Sequence, residues 1–339
     1  MSRKTSKEFK EEAEAEVFSA MAAEGHIPEG KMVSNIARRF RADPVLLPIV
    51  KNKEGPKGRT SLMFAAKQGD LARVRFLLEK GADPTKEDID FHSVIYYAAV
   101  GGNRQILDLL LEYGAELNYQ NSWGNTALHY AAAYGNIAAV EFLCAAGIDV
   151  NKLNHSLNTA LMQTLGVSML VRVRNKPSNE TKGEIIRILL QAGTDIKIKN
   201  QQGLTALSLA SSTGNVQAVR LLCEAGSEVN TRDNDGCTPL TRVIEGRQWY
   251  NTPDENIEEI IEILLAFRAN PDIPDNRRNT IDIYIDNFVE NKELKKHLKD
   301  IIADVRAGAS GAGGGGGAAN GSNRKSRKSR RRKTRKARS

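Results

Sequence analysis

One phrase recurs along this chain at a fixed interval. A hydroxyl residue marks it at Thr60, Ser93, Thr126, Thr159, Thr205, Thr238 and Thr280, at intervals of 33, 33, 33, 46, 33 and 42. The fullest copy is Gly124-Asn125-Thr126-Ala127-Leu128-His129-Tyr130-Ala131-Ala132, continued by Phe142-Leu143-Cys144-Ala145-Ala146-Gly147. A unit of 33 residues cannot enclose a core of its own, so each copy must bury its apolar face against its neighbours. The closing position falls at Gly81, Gly114, Gly147, Gly193, Gly226 and Arg268. It follows the hydroxyl by 21 residues except in the fourth and sixth units, where the distance is 34 and 30. Two insertions, 166–183 and 246–256, therefore lie inside repeats, between their two halves.

Each half reads as a short helix. Thr or Ser suits the N-cap, Ala or Pro the first helical position, and Gly after Leu-Leu-x-x the left-handed stop. On these residues the chain resembles the ankyrin repeat family over 55–305, with six repeats and a partial seventh. The resemblance implies an all-α repeat solenoid: a β-hairpin finger and an antiparallel helix pair per repeat. The family's Thr-Pro-Leu-His turn keeps its His only at His129, which the resemblance makes a structural turn residue, and its Pro only at Pro239. Met63, Tyr96, Met162, Ser208 and Thr241 take the His position, which predicts a less uniformly stabilised array. The seventh unit lacks the Ala-Ala phrase and leads into Glu293 to Val305, a capping helix by composition. Residues 1–54 are expected to be an N-terminal helical cap or degenerate repeat, or else a separate partner-binding helix.

Composition enters at the other end. The formal charge of +8 comes from residues 324–339, where 11 Lys and Arg stand with no acid; the rest holds 38 basic and 41 acidic residues. The body thus gives no electrostatic sign of a nucleic-acid surface. Residues 306–323 read as a Gly-rich linker and 324–339 as a disordered basic tail. Arg330, Arg331, Arg332 and Lys333 suit the acidic groove of an import receptor or nonspecific nucleic-acid phosphates. Ser326 and Ser329 each follow Arg-Lys, and phosphorylating both would remove roughly 3 to 4 charges. The Gly linker and Arg/Lys/Ser tail also resemble, in composition, ankyrin proteins of large DNA viruses of protists. No F-box-like C-terminal segment of the kind that related poxvirus ankyrin proteins use to recruit ubiquitin ligases is read in this sequence, which weighs against an adaptor for a modifying enzyme. With 3 Cys, no signal peptide and no long apolar run, the expectation is an intracellular chain, nuclear or cytoplasmic.

Sites for chemistry are weak. Gly25 to Met32 matches the phosphate-loop spacing but puts Met32 where a magnesium-binding hydroxyl belongs, and Gly311 to Gly316 meets a dinucleotide pattern inside a linker. Cys144 and Cys223 occupy leucine positions and read as core thiols; Cys237 falls in a turn and is expected to be exposed. No His or Cys has metal-ligand spacing, and no nucleophile–base arrangement stands out. No enzyme, cofactor, metal, small-molecule substrate or membrane contact is therefore expected.

The resemblance implies a protein partner lying on finger tips and first helices. The candidates there are Ser122, Trp123, Asn125, Tyr134, His155, Gln201, Gln202 and Arg232. Trp123 leads them, because truncated interface Trp and Tyr typically cost about 2 kcal/mol or more. The alternative is that its ring packs on the next finger at Ile89 or His155. Arg172, Arg174, Trp249 and Tyr250, in the insertions, form a second candidate surface, with loss-free drift the alternative.

Overall fold

The computed structural model describes residues 56–166 and 177–311. The N-terminal segment 1–54, Arg172 and Arg174, and the tail with Ser326, Ser329 and Arg330 to Lys333 lie outside the described residues. Two compact units emerge, Met1–Glu290 and Asn291–Ser339.

The first unit contains helices α1 (Ser61–Gln68), α2 (Leu71–Glu79), α3 (Val94–Gly101), α4 (Arg104–Glu112), α5 (Ala127–Tyr134), α6 (Ile137–Ala145) and α7 (Ala160–Thr164). After the fourth-repeat insertion come α8 (Asn179–Gln191), α9 (Ala206–Ser212), α10 (Val216–Glu224), α11 (Pro239–Tyr250), α12 (Asp254–Ala266) and α13 (Ile281–Phe288). The second unit contributes α14 (Lys292–Gly311), with Leu294, Leu298 and Ile302 buried. That helix runs past Val305 into the segment expected to be linker.

Within the first unit, first helices pack on first helices, α1 on α3 on α5 on α7, and second helices on second helices, α2 on α4 on α6 on α8. Small residues make the inner layer possible: Ala65, Ala66, Ala98, Ala99, Ala131, Ala132 and Ala210 are almost fully buried. Without bulk they let successive first helices approach closely, while Leu107, Leu110, Leu143, Leu189, Leu222 and Leu264 fill the space behind them. Each buried Leu contributes about 1.5–3 kcal/mol, both between the two helices of a repeat and across repeat boundaries.

The helix ends follow the sequence reading. The side chains of Thr60, Thr159, Thr205 and Thr238 accept from the backbone N–H three residues on. The closing glycines hold left-handed φ from 79° to 89°, and Arg268, without the glycine, adopts 70°. The substitutes for the turn His keep its acceptor role: the Thr60 N–H donates to Met63 Sδ at 3.3 Å, and the Thr238 N–H to Thr241 Oγ1 at 2.9 Å.

Two expectations change. The sixth-repeat insertion is helix: α11 and α12 have 12 and 13 residues, where α9 and α10 have 7 and 9. Pro253 sets the new start, Asp254 and Glu255 favour the positive end of the helix, and Arg247 in the last turn of α11 pairs with Asp254 at 2.9 Å. The fingers, in turn, are not paired strands among the described residues, which contain one isolated bridge, Glu87 to Ser93. Their shape is held by side chains.

Candidate functional site: the finger tips and the aromatic face beside them

From the second finger on, an Asn or Asp five residues before the hydroxyl closes the finger. Asn121 Oδ1 accepts from the N–H of Trp123 at 3.1 Å and of Asn125 at 3.0 Å. Asp88, Asn154, Asn200, Asp233 and Asp275 repeat this pattern, accepting from the N–H groups two and four residues on. Such a turn replaces strand pairing with one side-chain acceptor. The tips then join each other by backbone bonds. Ile89 N–H donates to Lys57 O, Ser122 to Asp90 O, His155 to Trp123 O, Gln201 to Ser156 O, Asn234 to Gln202 O and Asn276 to Asp235 O, at 2.9–3.3 Å.

A second side chain, six residues before the hydroxyl, stitches one finger to the next. Gln120 donates to Leu153 O at 2.9 Å, Lys199 to Arg232 O at 2.9 Å and Arg232 to Asn276 Oδ1 at 2.9 Å. Arg232 is exposed but spends its guanidinium on Gly236 O and Asn276. It lines a groove of about 350 Å³ with Lys197, Lys199, Ser227 and Glu228.

The remaining tip candidates divide by burial. Asn125 is buried, and its Oδ1 accepts from Asn154 at 2.9 Å, so its work is between repeats. Ser122 is exposed and donates to Asp90 O at 3.0 Å. His155 and Gln201 are exposed, and Gln201 donates to the His155 carbonyl at 2.7 Å. Gln202, also exposed, accepts from Asn200 at 3.0 Å. Trp249 and Tyr250 stand in solvent at the end of α11, at 78% and 49% exposure.

Trp123 is half-buried, and its ring lies against His92, 5.4 Å between centroids. His92 stacks on Tyr96 at 3.9 Å, and Tyr96 meets Tyr130 edge-on at 4.2 Å. Tyr134, half-buried, hydrogen-bonds Tyr96. The sequence reading passed over this cluster because its members are far apart in the chain. Stacking brings them together.

Beneath the rings sits Asp88. Its carboxylate accepts from Tyr97 O–H at 2.6 Å, from the His92 N–H at 2.8 Å and from the Asp90 N–H at 2.9 Å, and faces the His92 ring at 3.1 Å. Burial opposes its ionisation, but these bonds win and hold its pKa down to about 2. Asp88, Asp90 and His92 bring potential ligand atoms within 4.8 Å of one another, a grouping the sequence reading missed. Asp88 is already satisfied by its own turn.

Three tips carry an unexpected backbone, the second and fourth at an apolar residue and the seventh at Arg278, φ 67°. The position after the tip takes glycine at Gly124, Gly203 and Gly236, with φ of 74°, 75° and 81°. At Gly124 a Cβ would sit 2.7 Å from the His155 ring and 2.8 Å from its N. The equivalent residues in the second and fourth fingers are Phe91 and Leu157, both at φ 58°. They are 54% and 42% exposed, and Ile89 on the same tip is 64% exposed. Large apolar side chains in this region cost about 1–2 kcal/mol each, and here about half of each one stays in solvent.

Of the three thiols Cys223 is buried as read, while Cys144, read as a core thiol, is half-buried. Burial lifts Cys144 and Cys223 to about 11. Cys237 is buried, not exposed, because Tyr284 of the next repeat covers it, hydroxyl to Sγ 3.2 Å. Among the described residues no helix is long and apolar enough to cross a membrane.

The stacked helix pairs, side-chain-closed fingers and left-handed stops define a helical repeat protein of the interaction-module class. A model of the ankyrin repeats matches residues 62–154 and 178–275, more than half of the chain. The chain belongs to the ankyrin repeat family. The crystal structure of the human ASB11 ankyrin repeat domain is similar in fold, at 24% identity and a TM-score of 0.58, over 71% of this chain and 97% of that one. No curated protein matches the chain.

Proposed function

We propose that this chain is a non-enzymatic protein-interaction scaffold, intracellular, whose partner docks on the tips of the second to fourth fingers and the adjoining first helices. Ankyrin repeats mediate protein–protein interaction, and one observation selects this part of the array. Ile89, Phe91 and Leu157 are exposed on neighbouring tips beside half-buried Trp123, two of them in a backbone region that penalises them. Arg278 takes the same backbone in the seventh finger, but only in the second and fourth is the strained residue a large exposed apolar one, a pairing of strain and exposure that suits a functional position. The fifth and sixth tips, Gln201, Gln202, Asn234 and Asp235, are polar and serve as continuation. A photo-crosslinking residue at position 91 or 157 is expected to trap a discrete protein that the same residue at exposed Ile283 does not. Equal trapping from all three positions overturns the assignment.

The tail supplies a second element. Its 11 basic residues suit an import receptor or nonspecific nucleic acid, with Ser326 and Ser329 as a phosphorylation-controlled charge switch. Aspartate at both serines should weaken nuclear accumulation and salt-sensitive binding; no change in either removes the switch. A nucleic-acid-associated protein with the tail as its main element is the second reading, and it requires function to vanish with residues 308–339.

A further inference from the structure

We infer that the tip surface formed by Ile89, Asp90, Phe91 and Trp123 receives a cationic side chain, arginine above all, from an extended segment of the partner protein. The inference rests on the tips being the partner-binding surface, and adds the chemistry of what they hold.

The first observation is a carboxylate. Asp90 lies between two exposed apolar residues, and among the described residues its side chain has neither a hydrogen bond nor an ion pair. Only its backbone is engaged, the N–H to Asp88 and the carbonyl to Ser122. The neighbouring charges do not neutralise it. Arg59 faces Asp88 instead, Nε to Oδ2 3.9 Å, with its guanidinium 5.7 Å from the Tyr97 ring. Glu87 accepts from the Tyr119 hydroxyl. No ion pair joins Lys57 or Lys86 to Asp90 among the described residues.

The second observation is the aromatic surface against which that carboxylate stands. An Asp90 oxygen is within 4.8 Å of a His92 ring nitrogen, and the His92 ring is 5.4 Å from that of Trp123. Because His92, Tyr96 and Tyr130 already stack on one another, no slot remains between them for an inserted ring. The half-buried Trp123 and Tyr96 leave aromatic surface to solvent beside a negative charge.

These features choose among occupants. A wholly apolar segment would desolvate Asp90 without pairing it, which is costly. An acidic segment would be repelled. A guanidinium meets both demands, pairing with the carboxylate while its flat face and methylene stem cover Trp123 and Phe91.

The test uses the full chain carrying Trp249→Phe, which leaves Trp123 as the sole indole reporter. Three blocked pentapeptides, Gly-Leu-X-Leu-Gly with X as Arg, Gln or Glu, are titrated while Trp123 emission is followed. The Arg peptide is expected to give a saturating change and to bind about tenfold more tightly than the Gln peptide, with the Glu peptide weakest. Asp90→Asn, at a side chain without a hydrogen bond or ion pair among the described residues, should remove the Arg preference. Equal binding of the Arg and Gln peptides, an Arg preference that survives Asp90→Asn, or no change of emission with any peptide overturns the inference. None of these results touches the docking reading, which the crosslinking pattern decides.

Discussion

The imidazole of His129 ties two repeats together: its Nδ1 accepts from the Thr126 N–H at 3.1 Å, and its Nε2 donates to the Asn158 carbonyl at 3.0 Å. A backbone N–H can only donate, so Nδ1 must be unprotonated, and the neutral ring is the form the fold selects. Burial accordingly pushes its pKa down to about 4 from 6.5. The unfolded chain takes up this proton as pH falls through 6.5, the folded chain only near 4. Stability from this site is therefore complete above pH 6.5 and is lost progressively down to 4, by at most about 3 kcal/mol. Asp88 acts lower. Its carboxyl is depressed to about 2 from 3.8, so its contribution is present above pH 3.8 and fades as pH drops through 2. Urea midpoints at pH 7, 5.5 and 4 should fall in the native protein and fall much less in His129→Gln.

Replacing Phe91 or Leu157 by Gly should stabilise the array. The left-handed backbone costs these residues about 1–2 kcal/mol, and glycine returns part of that as unfolded-state entropy, leaving a gain of about 0.5–1 kcal/mol. Gly124→Ala should do the reverse, since its Cβ would strike His155. Thermal unfolding of the three variants checks both signs.

Asn121→Ala removes the one oxygen that accepts from two N–H groups of the finger, and the 2.8 Å bond that its Nδ2 donates to the Tyr130 hydroxyl oxygen. A loss of about 2–3 kcal/mol is expected. Because stability in stacked repeats is nearest-neighbour in character, the variant should separate unfolding on either side of the third repeat. Coincident transitions by tryptophan emission and circular dichroism would show that the array remains one cooperative unit.

Thiol reactivity should rank by cover. Cys144, half-buried with its pKa near 11, should alkylate slowly at pH 8; Cys223 and Cys237, both buried, should react only on opening. Tyr284→Ala uncovers Cys237 and is expected to make it the fastest of the three, read by mass spectrometry of the alkylated peptides.

Most of the array was legible because its rules are local. The hydroxyl caps, closing glycines and Leu-Leu positions are consequences of helix ends and spacing, and the structure places them at those ends, although Ser93 and Thr280 make no side-chain cap hydrogen bond. The finger-closing Asx series, Asp88 through Asp275, was equally periodic but hidden by its mixture of Asn and Asp. The stitching residues Gln120, Lys199 and Arg232 share chemistry only as donors, so no residue identity recurs. The aromatic cluster depends on stacking repeats in register, and the left-handed Phe91 and Leu157 are visible only as residues standing where Gly124 and Gly203 stand. The second insertion shows in the sequence only as added length; the structure spends that length on extending the end of α11 and on an earlier start of α12 after Pro253.

The most direct test of the tips as recognition surface is capture from nuclease-treated lysate at about 0.1 M and 0.5 M salt. It compares the full chain with a variant carrying Phe91→Gly, Trp123→Ala and Leu157→Gly. The account predicts a discrete protein retained by the native chain at both salt concentrations and absent from the variant, although the variant remains folded by circular dichroism. The same protein captured equally by both chains would contradict it.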